Sequence, residues 1–96
     1  MDAKKYANIM KALSNPNRLE LFLEIAKAQE KNYEECECLI SDIAKCFNIG
    51  APTISHHLKE LSNAGLITTE KKGKYLVAKV NKDIMEELRN LFPQIE

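Results

Sequence analysis

The sequence is sparing with the residues most enzymes rely on. Glycine occurs three times in 96 residues, at Gly50, Gly65 and Gly73, and never in a cluster. A phosphate-cradling glycine-rich loop is therefore excluded. The only two histidines, His56 and His57, are adjacent. There is no HExxH pair and no third histidine to complete a zinc site. No nucleophile–base constellation is legible, so a non-enzymatic protein is expected. No apolar run approaches the ~20 residues of a membrane span. The opening "MDAKKYANIM" is charged and amphipathic, unlike a secretory leader. The expectation is a cytoplasmic protein away from membranes, its three cysteines reduced. One domain, residues 1–96, is expected, and a domain this small buries only ~60–65 % of its unfolded surface. Burial against a partner would add to a thin core.

Net charge is also missing: 14 basic side chains balance 14 acidic ones. The charges are nevertheless segregated. Residues 51–82 hold six lysines (Lys59, Lys71, Lys72, Lys74, Lys79 and Lys82) against Glu60 and Glu70. Residues 28–42 hold five acids against Lys31. Such asymmetry either orients a protein on a polyanion or marks two solvated faces.

Tyr6, Ile9, Met10 and Leu13 fall at i, i+3, i+4, i+7 and mark one stripe of a first helix. Asn15 is suited to cap a second helix, with Pro16 at its first position. Leu19, Phe22, Leu23 and Ala26 share a face there, widened by Leu21, Ile25 and Ala28. Residues 29–37 are polar and acidic and read as a loop, followed by a brief strand at 38–40. Ser41 suits the cap of a short helix at 42–47. A further helix spans 51–64, with Gly65 as its terminating glycine. Two β-rich runs flank "KKGK", giving a hairpin with Gly73 at its turn. Asn81 caps a last helix bearing Ile84, Leu88 and Leu91, closed by Pro93. The fold class is thus mainly α with a small β-hairpin: five helices plus a wing, a winged helix-turn-helix.

On the 51–64 helix, Ile54, Leu58 and Leu61 form the buried stripe. His56 lies nearly opposite it with Lys59 and Asn63, and His57 lies on its flank. Neighbouring side chains diverge around a helix, so the pair does not chelate one ion. His57 reads as a packing residue. His56 is either plain surface or, in this context, a group aimed into a DNA groove beside Thr53, Ser55 and Lys59.

Three ordered stretches resemble one family. "LSNPNRLELFLEIA" resembles its N-terminal signature, "ISDIAKCFNIGAPTISHHLKELSNAGLI" its helix-turn-helix with an "SxHLxxLxxAGL" core, and "KKGKYLVAKV" its wing. The family is that of the ArsR/SmtB winged-helix repressors, and the match covers nearly the whole chain. It implies a homodimer built on the first and last helices, which assigns Tyr6, Ile9, Met10, Leu13, Ile84, Leu88 and Leu91 to the interface. It implies double-stranded operator DNA bound by Thr53, Ser55, His56 and Lys59, with Lys71, Lys72 and Lys74 of the wing on flanking DNA. It also implies repression relieved by an effector.

The family's sensing sites are not carried over. Arsenic- and cadmium-type members resemble "ELCVCDL" at the short helix, where aligned thiol positions are Leu39 and Ser41 here. The last-helix site needs histidines, and "NKDIMEELRNLF" has Asp83, Glu86 and Glu87 but none. "EECEC" supplies a different pair, Cys36 and Cys38, whose side chains project together from an extended segment. They could take a soft metal or metalloid, with Cys46 as a third ligand, or respond to oxidation. Neighbouring carboxylates raise a thiol's pKa and oppose the redox reading. Cys38 and Cys46 are equally suited to be small buried hydrophobes. No cofactor is required. The alternative function is a winged-helix protein-interaction module that does not bind DNA.

Overall fold

The computed structural model describes residues 2–31, 38–39, 50–73 and 75–94. Helix α1, Ala3–Ala12, starts at Asp2, whose carboxylate accepts the Lys5 backbone N–H at 3.1 Å. Helix α2, Pro16–Lys31, starts as expected: Asn15 Oδ1 accepts from the Arg18 N–H at 3.1 Å, and proline takes the first helical position. Arg18 Nε then donates to the carbonyl of Ala12. That places a cation against the negative end of α1 and locks the turn between the helices.

Helix α2 packs against the rest of the molecule through Leu21, Phe22 and Ile25, all buried. Leu19 and Leu23, expected on its inner face, are 38 % and 45 % exposed. The apolar arc of the helix is wide, running from Leu21 and Ile25 round to Leu19 and Leu23, so periodicity does not choose which part of it faces inward. Its packing partners do. The helix also runs through residues 29–31, which composition assigns to a loop.

Three antiparallel strands follow, β1 (Cys38–Leu39), β2 (Ile67–Lys72) and β3 (Tyr75–Val80), in the order β1-β3-β2. The hairpin is β2–β3, and β1 adds Cys38 opposite Ala78 and Leu39 opposite Val77. Between β1 and β2 lies α3, Ala51–Asn63; α4, Lys82–Leu91, ends the fold. Four helices lie among the described residues; the fifth expected helix, at 42–47, lies outside them.

One junction joins three elements. At the end of α3, Gly65 adopts φ +82°, the Leu66 N–H reaches the Leu61 carbonyl at 3.1 Å, and the Gly65 N–H reaches that of Ser62 at 3.0 Å. This is a Schellman motif, and Leu61 and Leu66 are both fully buried beneath it. The Asn81 side-chain amide donates to the Gly65 carbonyl at 3.0 Å, and its backbone N–H to that of Leu66 at 2.9 Å. Its Oδ1 accepts from the N–H groups of Asp83 and Ile84, capping α4.

The core gathers Ile9, Ala12, Leu21, Phe22, Ile25, Ile54, Leu58, Leu61, Leu66, Ile67, Ala78 and Ile84. Two of the residues assigned to an interface belong to this core. Ile9 and Ile84 are only 1 % and 8 % exposed within one protomer, because α1 and α4 each turn one edge into their own core. Tyr6, Leu13 and Leu88 are half-buried at its margin. Leu91 is also half-buried, and Met10 is 39 % exposed.

Asn81→Ala should cost ~1–2 kcal/mol in urea unfolding, because it removes a helix cap and the tie to Gly65. Asn81→Asp keeps the cap and should cost less. Equal losses would show that the cap contributes nothing.

Candidate nucleic-acid interface

Helix α3 begins at Gly50, whose carbonyl accepts the N–H groups of Thr53 and Ile54, both at 3.1 Å. Its extended backbone (φ −71°, ψ 155°) and Pro52 in the first turn set the entry direction. Ile54, Leu58 and Leu61 are 4 %, 3 % and 0 % exposed. Anchoring that stripe turns the opposite face outward: Thr53, Ser55, His56 and Lys59 are all exposed, as is Asn63.

The hairpin stands beside this helix. Gly73 adopts φ +61°, which lets a two-residue loop close the Lys72–Tyr75 pair. Strand alternation puts Ile67, Thr69 and Lys71 on one face with Leu76, Ala78 and Val80. Lys71 is exposed. Lys72 is described in its backbone only, and Lys74 lies outside the described residues.

Between α3 and the hairpin is a concave corner of about 230 Å³ lined by Ser55, Leu58, Lys59, Ser62, Asn63, Thr69 and Leu76. Ser62 and Thr69 are absent from the sequence-derived site. Ser62 shares a helix flank with Ser55 and Lys59 at i+7 and i+3, a spacing legible in principle. Thr69 carries no such signal, because only the strand register brings it to the corner.

The two histidines separate as the helical wheel requires. His56 is exposed, whereas His57 is 6 % exposed, and the ring centroids are 6.1 Å apart. Among the described residues, neither ring nitrogen of His57 has a hydrogen-bond partner. Burial pushes its pKa below the ordinary 6.5, and the Arg18 guanidinium and His56 push the same way.

The cysteine site is largely out of view. Cys36 and Cys46 lie outside the described residues, and Cys38 is described only as a backbone position in β1. Among the described residues no group of three or more His, Cys, Asp or Glu is placed to hold a metal ion. A second cavity, of about 460 Å³, lies between α1 and α4 and is lined by Tyr6, Asp83, Glu86, Glu87, Asn90 and Leu91. Glu87 there accepts from Tyr6 Oη at 2.8 Å and Lys5 Nζ at 3.0 Å. These bonds, the Lys5 one foremost, hold its carboxyl below the usual range. Among the described residues, no helix is long and apolar enough to cross a membrane.

A helix anchored by one face and polar on the other, followed directly by an antiparallel hairpin, is the core of a winged helix-turn-helix regulator. The pattern described as "Bacterial regulatory protein, arsR family" matches residues 15–69. The arsenical resistance operon repressor of Staphylococcus xylosus is 34 % identical over 86 residues, 90 % of this chain and 75 % of that protein. Transcriptional repressor SdpR of Bacillus subtilis strain 168 is 32 % identical over 83 residues, 86 % of this chain and 83 % of that protein. The fold is shared with a homodimeric winged helix-turn-helix domain from Mycobacterium bovis, at TM-score 0.69 and 21 % identity, covering 92 % of this chain and 75 % of that one. The chain belongs to the ArsR family of bacterial regulatory proteins.

The burial of His57 has a signed consequence for pH. Above 6.5 both folded and unfolded chains hold it neutral. Below 6.5 the unfolded chain takes a proton that the folded chain resists, so stability falls as pH drops through 6.5 and levels off beneath the lowered folded value. Thermal unfolding should show Tm falling between about pH 7.5 and 5.5, and falling less in His57→Leu. Identical profiles for both proteins would contradict a neutral, buried His57.

Proposed function

We propose that this chain is a homodimeric repressor that binds double-stranded operator DNA through α3 and the hairpin and leaves it when an effector binds. The observation that carries the reading is the division of α3. Its apolar stripe is locked in the core, while Thr53, Ser55, His56 and Lys59 face outward beside a hairpin bearing Lys71. In this role the outer face of α3 enters the major groove, where His56 and its neighbours meet base edges. Lys71, Lys72 and Lys74 of the wing neutralise flanking phosphates, which positions the protein without reading sequence.

Dimerisation through α1 and α4 is supported by their arrangement. The Lys5, Tyr6 and Glu87 bonds hold the two helices side by side. Around them Tyr6, Leu13, Leu88 and Leu91 are half-buried, Met10 is exposed, and Phe92 is 68 % exposed. The Mycobacterium bovis relative is described as homodimeric. A two-fold dimer would present two recognition helices to a palindromic site.

A thiol-binding effector fits the same scheme. The Staphylococcus xylosus relative represses an arsenical resistance operon. Here Cys38 sits in β1, paired with Ala78 of the strand that forms half of the wing. A soft metal or metalloid taken up by Cys36 and Cys38, with or without Cys46, would pull directly on that strand.

Fluorescence anisotropy of the reduced protein on DNA from upstream of its own gene should show tight, strongly salt-dependent binding that arsenite releases. His56→Ala should change sequence preference, while Lys71→Ala should weaken all sequences alike and lower the salt slope by ~1. Tight binding indifferent to arsenite would retain the repressor and remove arsenic as its effector. Absence of salt-sensitive binding to any DNA would favour a protein-interaction module.

A further inference from the structure

We infer that the corner between α3 and the hairpin is a seat for one sugar–phosphate unit of the bound DNA strand, with Ser62 and Thr69 as positioning residues. The inference rests on the DNA-binding reading above and names which atoms set the docking register.

Four observations converge. Five of its lining residues are polar (Ser55, Lys59, Ser62, Asn63 and Thr69) and two, Leu58 and Leu76, are apolar. A deoxyribose–phosphate has that division, with a charged oxygen-rich end and a less polar ring. The volume, about 230 Å³, is below the ~300–1,000 Å³ of pockets that enclose small-molecule ligands, so an organic effector is a poor fit. None of the five polar side chains makes a hydrogen bond or ion pair among the described residues, so their donors are available. Lastly, the corner lies along the flank of the helix face proposed to enter the groove. A strand bounding that groove must pass between helix and wing.

Three hydroxyls and one ammonium then converge on a phosphate. Lys59 supplies the charge, and Ser55, Ser62 and Thr69 supply directional donors. Leu58 and Leu76 meet the sugar. The hydroxyls are neutral and displace no counterions, so they fix position without contributing to the salt dependence. Thr69 comes from the wing and Ser62 from the end of the recognition helix. A phosphate held by both would lock the angle at which the helix lies in the groove.

The test begins with duplexes that the protein itself selects from a random-sequence pool. Single methylphosphonate linkages, which are neutral, are then placed in turn along each strand. One linkage in each half-site should weaken wild-type binding at least ~10-fold and affect a Ser62→Ala/Thr69→Val variant far less, the coupling expected of groups in contact. That variant should bind every selected sequence ~10-fold more weakly with an unchanged salt slope, whereas Lys59→Ala should lower the slope by ~1. In the Ser62→Ala background, Thr69→Ser keeps the second hydroxyl and should bind more tightly than Thr69→Val; equal binding by the two would show that the Thr69 hydroxyl holds no phosphate. If every linkage costs the wild type and the double variant equally, the seat is overturned and the DNA-binding reading stands. If no duplex is selected at all, both fall together.

Discussion

The angle between α3 and the hairpin is set at one junction, where Leu61, Gly65, Leu66 and Asn81 meet. Gly65 permits a left-handed turn that closes α3 and buries Leu61 against Leu66. Asn81, at the far end of β3, then ties that turn to the start of α4 with bonds in three directions. A helix end, a strand end and a helix start are thereby held by a single side chain. The polar outer face of α3, the corner beside it and the wing keep a fixed relation because this junction leaves the chain little freedom. Its members, Leu61, Gly65, Leu66 and Asn81, lie at the opposite end of the hairpin from its turn at Gly73.

A second constraint runs the other way, from α3 back toward α1. His57 is a buried polar ring with no hydrogen-bond partner among the described residues, next in sequence to the exposed His56. Arg18, which acts on it electrostatically, also closes the end of α1. Helix α3 is therefore seated partly on an imidazole whose pKa is lowered by burial and by Arg18, the cation that also terminates α1.

Several features were legible in the sequence because their physics is local. Asn15 with Pro16, Gly65, Gly73 and Asn81 each stand where capping and turn chemistry require them. The stripe at Ile54, Leu58 and Leu61 separated two adjacent histidines correctly, since neighbours on a helix diverge by ~100°. What was hidden depends on partners distant in sequence. The apolar arc of α2 is wide, and only its packing shows that Leu21 faces in while Leu19 and Leu23 do not. Ile9 and Ile84 lie on amphipathic stripes, and a stripe does not state whether it meets its own core or a second chain. Val77 and Ala78 are consecutive in β3 and point to opposite faces, yet both are buried, which strand alternation alone does not foretell. Thr69 reached the corner only through strand register.

The most direct test of α3 and the hairpin as the DNA surface is amide chemical-shift mapping of the reduced, isotope-labelled protein titrated with a duplex it selects. The largest shifts should fall on Thr53, Ser55, His56, Lys59, Ser62, Thr69 and Lys71, with α1 and the outer face of α2 nearly unmoved. Shifts concentrated instead on α1, α4 and the exposed Leu19 and Leu23 of α2, with α3 silent, would contradict it.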